Sequence, residues 1–114
     1  MARAQRLERL ELRRQEAEAD YAETLVAALR RTAAGSWGLF DHNQDRAMRA
    51  AWKPTVTDLC DRGEEIDAMR AALGMEPYAL HAEFEASRGP VSTSAPGEPR
   101  QARAWLDRLG VDRS

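Results

Sequence analysis

The chain has 114 residues, which suits a single domain, and it carries 17 Lys and Arg residues against 19 Asp and Glu residues, a net charge of −2. This balance argues against a general nucleic-acid-binding protein, because such proteins usually present a large basic surface. No apolar run approaches the ~20 residues of a membrane span. The single cysteine excludes an internal disulfide or a thiolate zinc site within one chain.

Residues 3–33 contain no Gly or Pro and are rich in Ala, Leu, Arg and Glu, which favours one long helix that ends near Gly35. From residue 21 onward, a wide apolar face predicts packing against a core. Before that, spacings of three and four give a narrower heptad-like stripe. We therefore expect residues 1–20 to form a projecting helical arm and residues 21–110 a compact core. The stripe predicts an interaction surface made of Leu7, Leu10, Arg14, Ala17 and Tyr21.

The connection that follows, AAGSWGLFDHNQD, carries aromatic residues where polar turn residues would be expected. One interpretation is a plug that closes the end of a helical core, with Asp41 capping the next helix. The other is a ligand pocket whose aromatic wall lies beside groups that bind a polar ligand or act as acid and base. The sequence favours the plug. The residues of the pocket interpretation are Trp37, Phe40, Asp41, His42 and Asn43.

The middle of the chain predicts two helices separated by Pro54, because the residue before a proline avoids helical geometry. The second of these, residues 54–73, has the clearest amphipathic pattern and should end at Gly74. Gly63 lies on its apolar stripe. Glycine there costs about 0.5–1 kcal/mol relative to alanine, so we expect another helix or an aromatic ring to approach closely.

Two more helices are predicted, over residues 77–87 and 99–109, joined by a Pro/Gly/Ser loop at 89–99. His81 and Phe84 are expected on the inner face of the first of them. The sequence thus predicts an all-α fold, a small bundle of four to five helices with a long N-terminal helix, in one domain spanning residues 1–114.

Few residues suggest chemistry. His81 and Glu85 stand four apart on a helix and could hold a metal, but such a pair is as easily a surface contact. Cys60 lies on an apolar stripe, where a thiol is usually inert. We predict no catalytic residue, metal or cofactor. A nucleic-acid role for Arg30, Arg31, Arg46 and Arg49 is opposed by the acidic balance of the chain.

These features favour a cytoplasmic, non-enzymatic module for protein–protein interaction or oligomerisation. It would bind a protein partner or a second copy through the N-terminal helix, without contact with a membrane. The alternative is a small-ligand-binding or enzymatic helical domain. Its site would lie near Trp37–Asp45 and the 87–99 loop.

Overall fold

The computed structural model describes residues 2–40, 46–89 and 97–112, apart from the side chains of Arg46, Met48 and Arg49. These residues form helices and connections without any strand, which confirms the predicted all-α class and the long N-terminal helix. The helices are α1 (Ala2–Ala33), α2 (Arg46–Ala72), α3 (Ala79–Ser87) and α4 (Glu98–Leu109).

The prediction that Pro54 separates two helices is wrong, because α2 runs through this proline. Proline removes the backbone hydrogen bond to the carbonyl four residues earlier, here that of Ala50. Both residues are exposed, so water can satisfy the freed carbonyl. On the other side of the helix, Trp52, Val56 and Leu59 are buried. This continuous apolar face holds both halves of α2 against α1.

The core forms around the second half of α1, which packs against both α2 and α4. Every described helix and the segment before α2 contribute to it. Burying each large apolar side chain stabilises the fold by roughly 1.5–3 kcal/mol. The buried apolar residues are Tyr21, Leu25, Ala28, Leu29, Leu39, Phe40, Trp52, Val56, Leu59, Ile66, Phe84, Ala102, Trp105 and Leu106.

The first turns of α1 extend beyond this core. A helix of 32 residues is about 48 Å long, and the molecule measures 56 × 27 × 22 Å, so α1 sets its long dimension. Residues 2–9, 12 and 13 are exposed, and residues 10 and 11 are half-buried. We call residues 2–13 the arm.

Candidate functional site

The aromatic loop, residues 36–40, packs into the core. Leu39 and Phe40 are fully buried. The Phe40 ring lies between two other aromatic rings, with centroid distances of 6.4 Å to both Phe84 and Trp105. Separations of this size suit tilted aromatic pairs. Phe40 therefore occupies the position that the plug interpretation predicts.

Trp37 lies at the rim of the same loop and is half-buried. Its ring rests on the backbone of Gly97, where an added Cβ atom would come within 2.8 Å of the indole. Glycine at position 97 thus makes room for the ring just before α4. The other residues of the pocket interpretation, Asp41, His42 and Asn43, lie outside the described residues, as do residues 90–96 of the predicted loop.

Glu98 fixes the aromatic loop through its buried carboxylate. Both of its oxygens accept the N–H of Gly38 at 3.0 Å, and Oε1 also accepts the N–H of Phe40 at 2.8 Å. Burying a carboxylate is costly, but charge-assisted hydrogen bonds offset the cost. Glu98 is also the first residue of α4, where the helix dipole favours negative charge.

The loop is held from a second direction by the segment that follows α3. Arg88 Nε donates to the carbonyl of Leu39 at 2.9 Å, and the N–H of Gly89 donates to the carbonyl of Phe40 at 2.9 Å. Two N–H groups and two carbonyls of the loop are therefore bound by residues from elsewhere in the chain. This arrangement gives the described part of the loop a structural role.

A polar cluster joins α1, α2 and α3 around His81, which is 3% exposed. Its Nδ1 lies 2.7 Å from the hydroxyl of Tyr21. Its Nε2 lies 2.7 Å from Oε1 of Glu85, although these two atoms are not aligned as a hydrogen bond. The imidazole fills the space above Gly63, where an added Cβ atom would lie 2.3 Å from the ring.

The His81 cluster lies in the core, because Tyr21 is fully buried and His81 is only 3% exposed, and this burial raises the pKa of the Tyr21 hydroxyl. Glu85 is exposed and reaches the cluster from outside. Within the described residues, no three His, Cys, Asp or Glu side chains come together in a way that could hold a metal ion. The cluster thus ties the three helices together.

Cys60 is expected to react slowly with alkylating agents. It is half-buried against the core, and burial raises the pKa of its thiol, which lowers the fraction of reactive thiolate at neutral pH. Mass spectrometry should show alkylation by iodoacetamide about 3- to 10-fold slower in the native protein than after unfolding in urea. Equal rates in the two states would contradict the expectation.

The base of the arm is held by charged side chains. Arg14 pairs with both Glu11 and Glu18, and Arg70 Nη1 of α2 lies 2.9 Å from Oε2 of Glu18. The hydrogen bond from Arg14 lowers the pKa of the Glu11 carboxyl to about 2. These pairs bind α1 to the end of α2, so Arg14 serves the molecule's own structure.

The other residues of the predicted interaction stripe fall into two groups, one packed in or against the core and one in the arm. Tyr21 is fully buried in the core, and Ala17 packs against the core. The Tyr21 ring is therefore not available on a free surface. Leu10 is half-buried and Leu7 is 41% exposed. The stripe available to a partner is therefore confined to the arm.

The arginines considered for nucleic-acid binding are partly engaged within the protein. The Arg31 guanidinium lies 4.3 Å from the centre of the Trp52 ring, and Arg30 Nε donates to the carbonyl of Asp112 at 2.9 Å. The side chains of Arg46 and Arg49 are outside the described part of the structure. The two described arginines thus contribute to packing as well as to surface charge.

Comparison with known proteins finds no match to a protein family, to a curated protein or to a solved structure. None of the helices described here combines the length and apolar character that a membrane crossing requires. The molecule belongs structurally to the class of small all-α proteins, with a closed core and a helical arm that extends from it.

Proposed function

We propose that this chain is a helical interaction module that associates with a second copy of itself through the arm. The observation that carries the proposal is the exposure of Leu7, a large apolar side chain among the charged residues of the arm. Leu7 and Leu12, at 41% and 58% exposed, are the exposed large apolar side chains among the described residues.

The position of Leu7 around the helix supports this proposal. Eighteen residues make about five turns of an α-helix, so residues separated by 18 point in the same direction. Leu7 therefore lies on the same side of α1 as Leu25, and Leu10 on the same side as Ala28. Leu25 and Ala28 are buried in the core. The stripe of the arm continues the core-facing side of α1 beyond the helices that cover it.

A partner helix would cover the exposed stripe of the arm. A short helix that projects alone is marginal in water and gains stability by packing. Covering Leu7 removes an apolar side chain from water in each of the two copies, and the effect of complete burial is about 1.5–3 kcal/mol for each leucine. Since the arm offers only a few turns, we expect association that depends strongly on protein concentration.

Replacing Leu7 with glutamate is expected to abolish self-association. A charge in the centre of the stripe would have to be buried against the partner, and burying an unpaired charge is costly. Sedimentation velocity over a wide concentration range would measure the effect. The unmodified protein should shift from one chain toward two as concentration rises, and the Leu7→Glu variant should stay at one.

Leu12→Glu is the matched control. Leu12 is more exposed than Leu7, but it lies five residues further on, about 140° around the helix and off the stripe. This variant should associate like the unmodified protein, and circular dichroism should show unchanged helix content in both. A single-chain mass for the unmodified protein at all concentrations, or equal loss in the two variants, would refute the proposal.

A further inference from the structure

Charged residues in the arm stand at matching distances on either side of Leu7. Arg3 lies four residues before Leu7 and Glu11 four residues after it, and Arg6 and Glu8 lie one residue before and one after. Two copies of the arm that run in opposite directions about Leu7 therefore place each of these arginines opposite a glutamate, which favours antiparallel pairing.

We propose that two arms pair antiparallel, with the two-fold axis passing beside Leu7. This inference rests on the proposed self-association and adds its orientation and register. In this register, facing positions add up to 14, so Leu7 meets Leu7 of the second copy and Ala4 meets Leu10. The small side chain of Ala4 leaves room for the leucine opposite, as in alternating small and large core layers.

Charged residues flank these apolar layers in the same register. Arg3 of each copy faces Glu11 of the other, and both positions lie on the stripe side of the helix. The Glu11 carboxylate already accepts hydrogen bonds from Arg14 and Gln15, but its side chain is 39% exposed, so a guanidinium from the second copy can reach it. The symmetric pair therefore contains two such contacts. They set the direction and register of pairing more than its strength.

The shape of the molecule opposes the parallel alternative. Paired helices lie about 8–10 Å apart, whereas the molecule is 22 Å across in its narrowest dimension. The rest of the molecule beyond the arm, which we call the body, covers the same side of α1 that the stripe continues. Parallel arms would therefore force the two bodies into the same space. Antiparallel arms place the bodies at opposite ends. Parallel pairing in register would also set Arg3 against Arg3 and Glu11 against Glu11.

The length of the arm fits the antiparallel register. With facing positions that add up to 14, Ala2 of one copy lies opposite Leu12 of the other. The overlap therefore stops just before Arg14, which the contacts with Glu18 and Arg70 hold at the edge of the body. Each arm fills the free length of its partner without entering the body.

Disulfide cross-linking between arms tests the orientation. Ala4→Cys and Leu10→Cys are made separately in a Cys60→Ala background, which removes the chain's own thiol. A disulfide requires Cα atoms within about 7 Å, so it reports direct opposition. Under mild oxidation, a mixture of the two variants should give a cross-linked product that joins position 4 to position 10. Mass spectrometry identifies this product, because the two chains differ in mass.

The competing outcomes are distinguishable. A product linking 4 to 4 and 10 to 10, without the 4 to 10 product, would overturn the antiparallel inference and leave self-association intact. A single-chain mass for the background variant, and no cross-link, would defeat both proposals. Circular dichroism confirms that each variant keeps its helices.

Charge reversal gives a second test of the register. Arg3→Glu should weaken association several-fold, because each Glu11 then faces a like charge. Adding Glu11→Arg in the same chain restores opposite charges across an antiparallel pair, so the double variant should regain most of the lost affinity. In a parallel pair, the double variant would again place like charges opposite each other and should regain none.

Discussion

Replacing Glu98 with alanine is expected to lower the free energy of unfolding by about 2–6 kcal/mol, because two buried donors lose their acceptor and each costs roughly 1–3 kcal/mol when left unsatisfied. These donors are the N–H groups of Gly38 and Phe40. Trp37 and Phe40, which flank the anchored backbone, would lose their fixed position beside Gly97 and Trp105. Urea denaturation followed by circular dichroism would measure the change.

Two further variants make this result specific. Glu98→Gln keeps the size of the side chain and one acceptor oxygen, but it turns an amide donor toward backbone N–H groups. We therefore expect an intermediate loss. Glu64→Ala removes a glutamate from an exposed helical position and should change stability by no more than about 0.5 kcal/mol. A loss for Glu98→Ala no larger than that for Glu64→Ala would show that the carboxylate does not hold the loop.

Local signals in the sequence identified most helices of the fold. The absence of Gly and Pro over residues 3–33 predicted α1, which spans Ala2–Ala33. Gly74 was expected to end a helix, and it has φ = +71° two residues after α2 ends at Ala72. Such signals work because helix propensity and the left-handed backbone of a terminal glycine depend on the residue itself.

Gly63 shows how an unfavourable residue within a helix can indicate a tertiary contact. A glycine on an apolar helical stripe predicted a close neighbour, and the neighbour is the imidazole of His81. The pattern could not name His81, since that residue lies on another helix. The role of Tyr21 was missed for the same reason. It follows the spacing of the arm, but its hydroxyl is bound by His81, 60 residues away in the chain.

Pro54 and Glu98 depend on tertiary structure in a different way. The cost of a proline inside a helix depends on whether the freed carbonyl reaches water and whether the apolar face continues, and neither is a local property. Glu98 precedes a proline at a helix start, which marks the helix but gives no sign of burial. Its partners lie 58 and 60 residues earlier. Rules based on residue spacing relate positions only a few residues apart, so they cannot identify contacts at such sequence separations.

Replacing Gly63 with alanine is expected to destabilise the protein by about 2–4 kcal/mol, although alanine is the better helix former by up to about 1 kcal/mol. The added Cβ atom would lie within 2.4 Å of three ring atoms of His81. The imidazole would have to move, and its contact with the Tyr21 hydroxyl at 2.7 Å would be lost. Thermal and urea unfolding of the single variant would measure the loss.

Removing His81 should reverse the sign of the stability change that Gly63→Ala causes. In a His81→Ala background the space above residue 63 is vacated, so Gly63→Ala should be neutral or stabilise by roughly 0.5–1 kcal/mol through helix propensity. The double-mutant cycle would then give a coupling energy of several kcal/mol. This value lies at or above the upper end of the ~0.5–3 kcal/mol range that is typical of neighbouring residues. The same loss in both backgrounds would mean that the ring does not occupy this space, and the packing of α3 on α2 would need a different explanation.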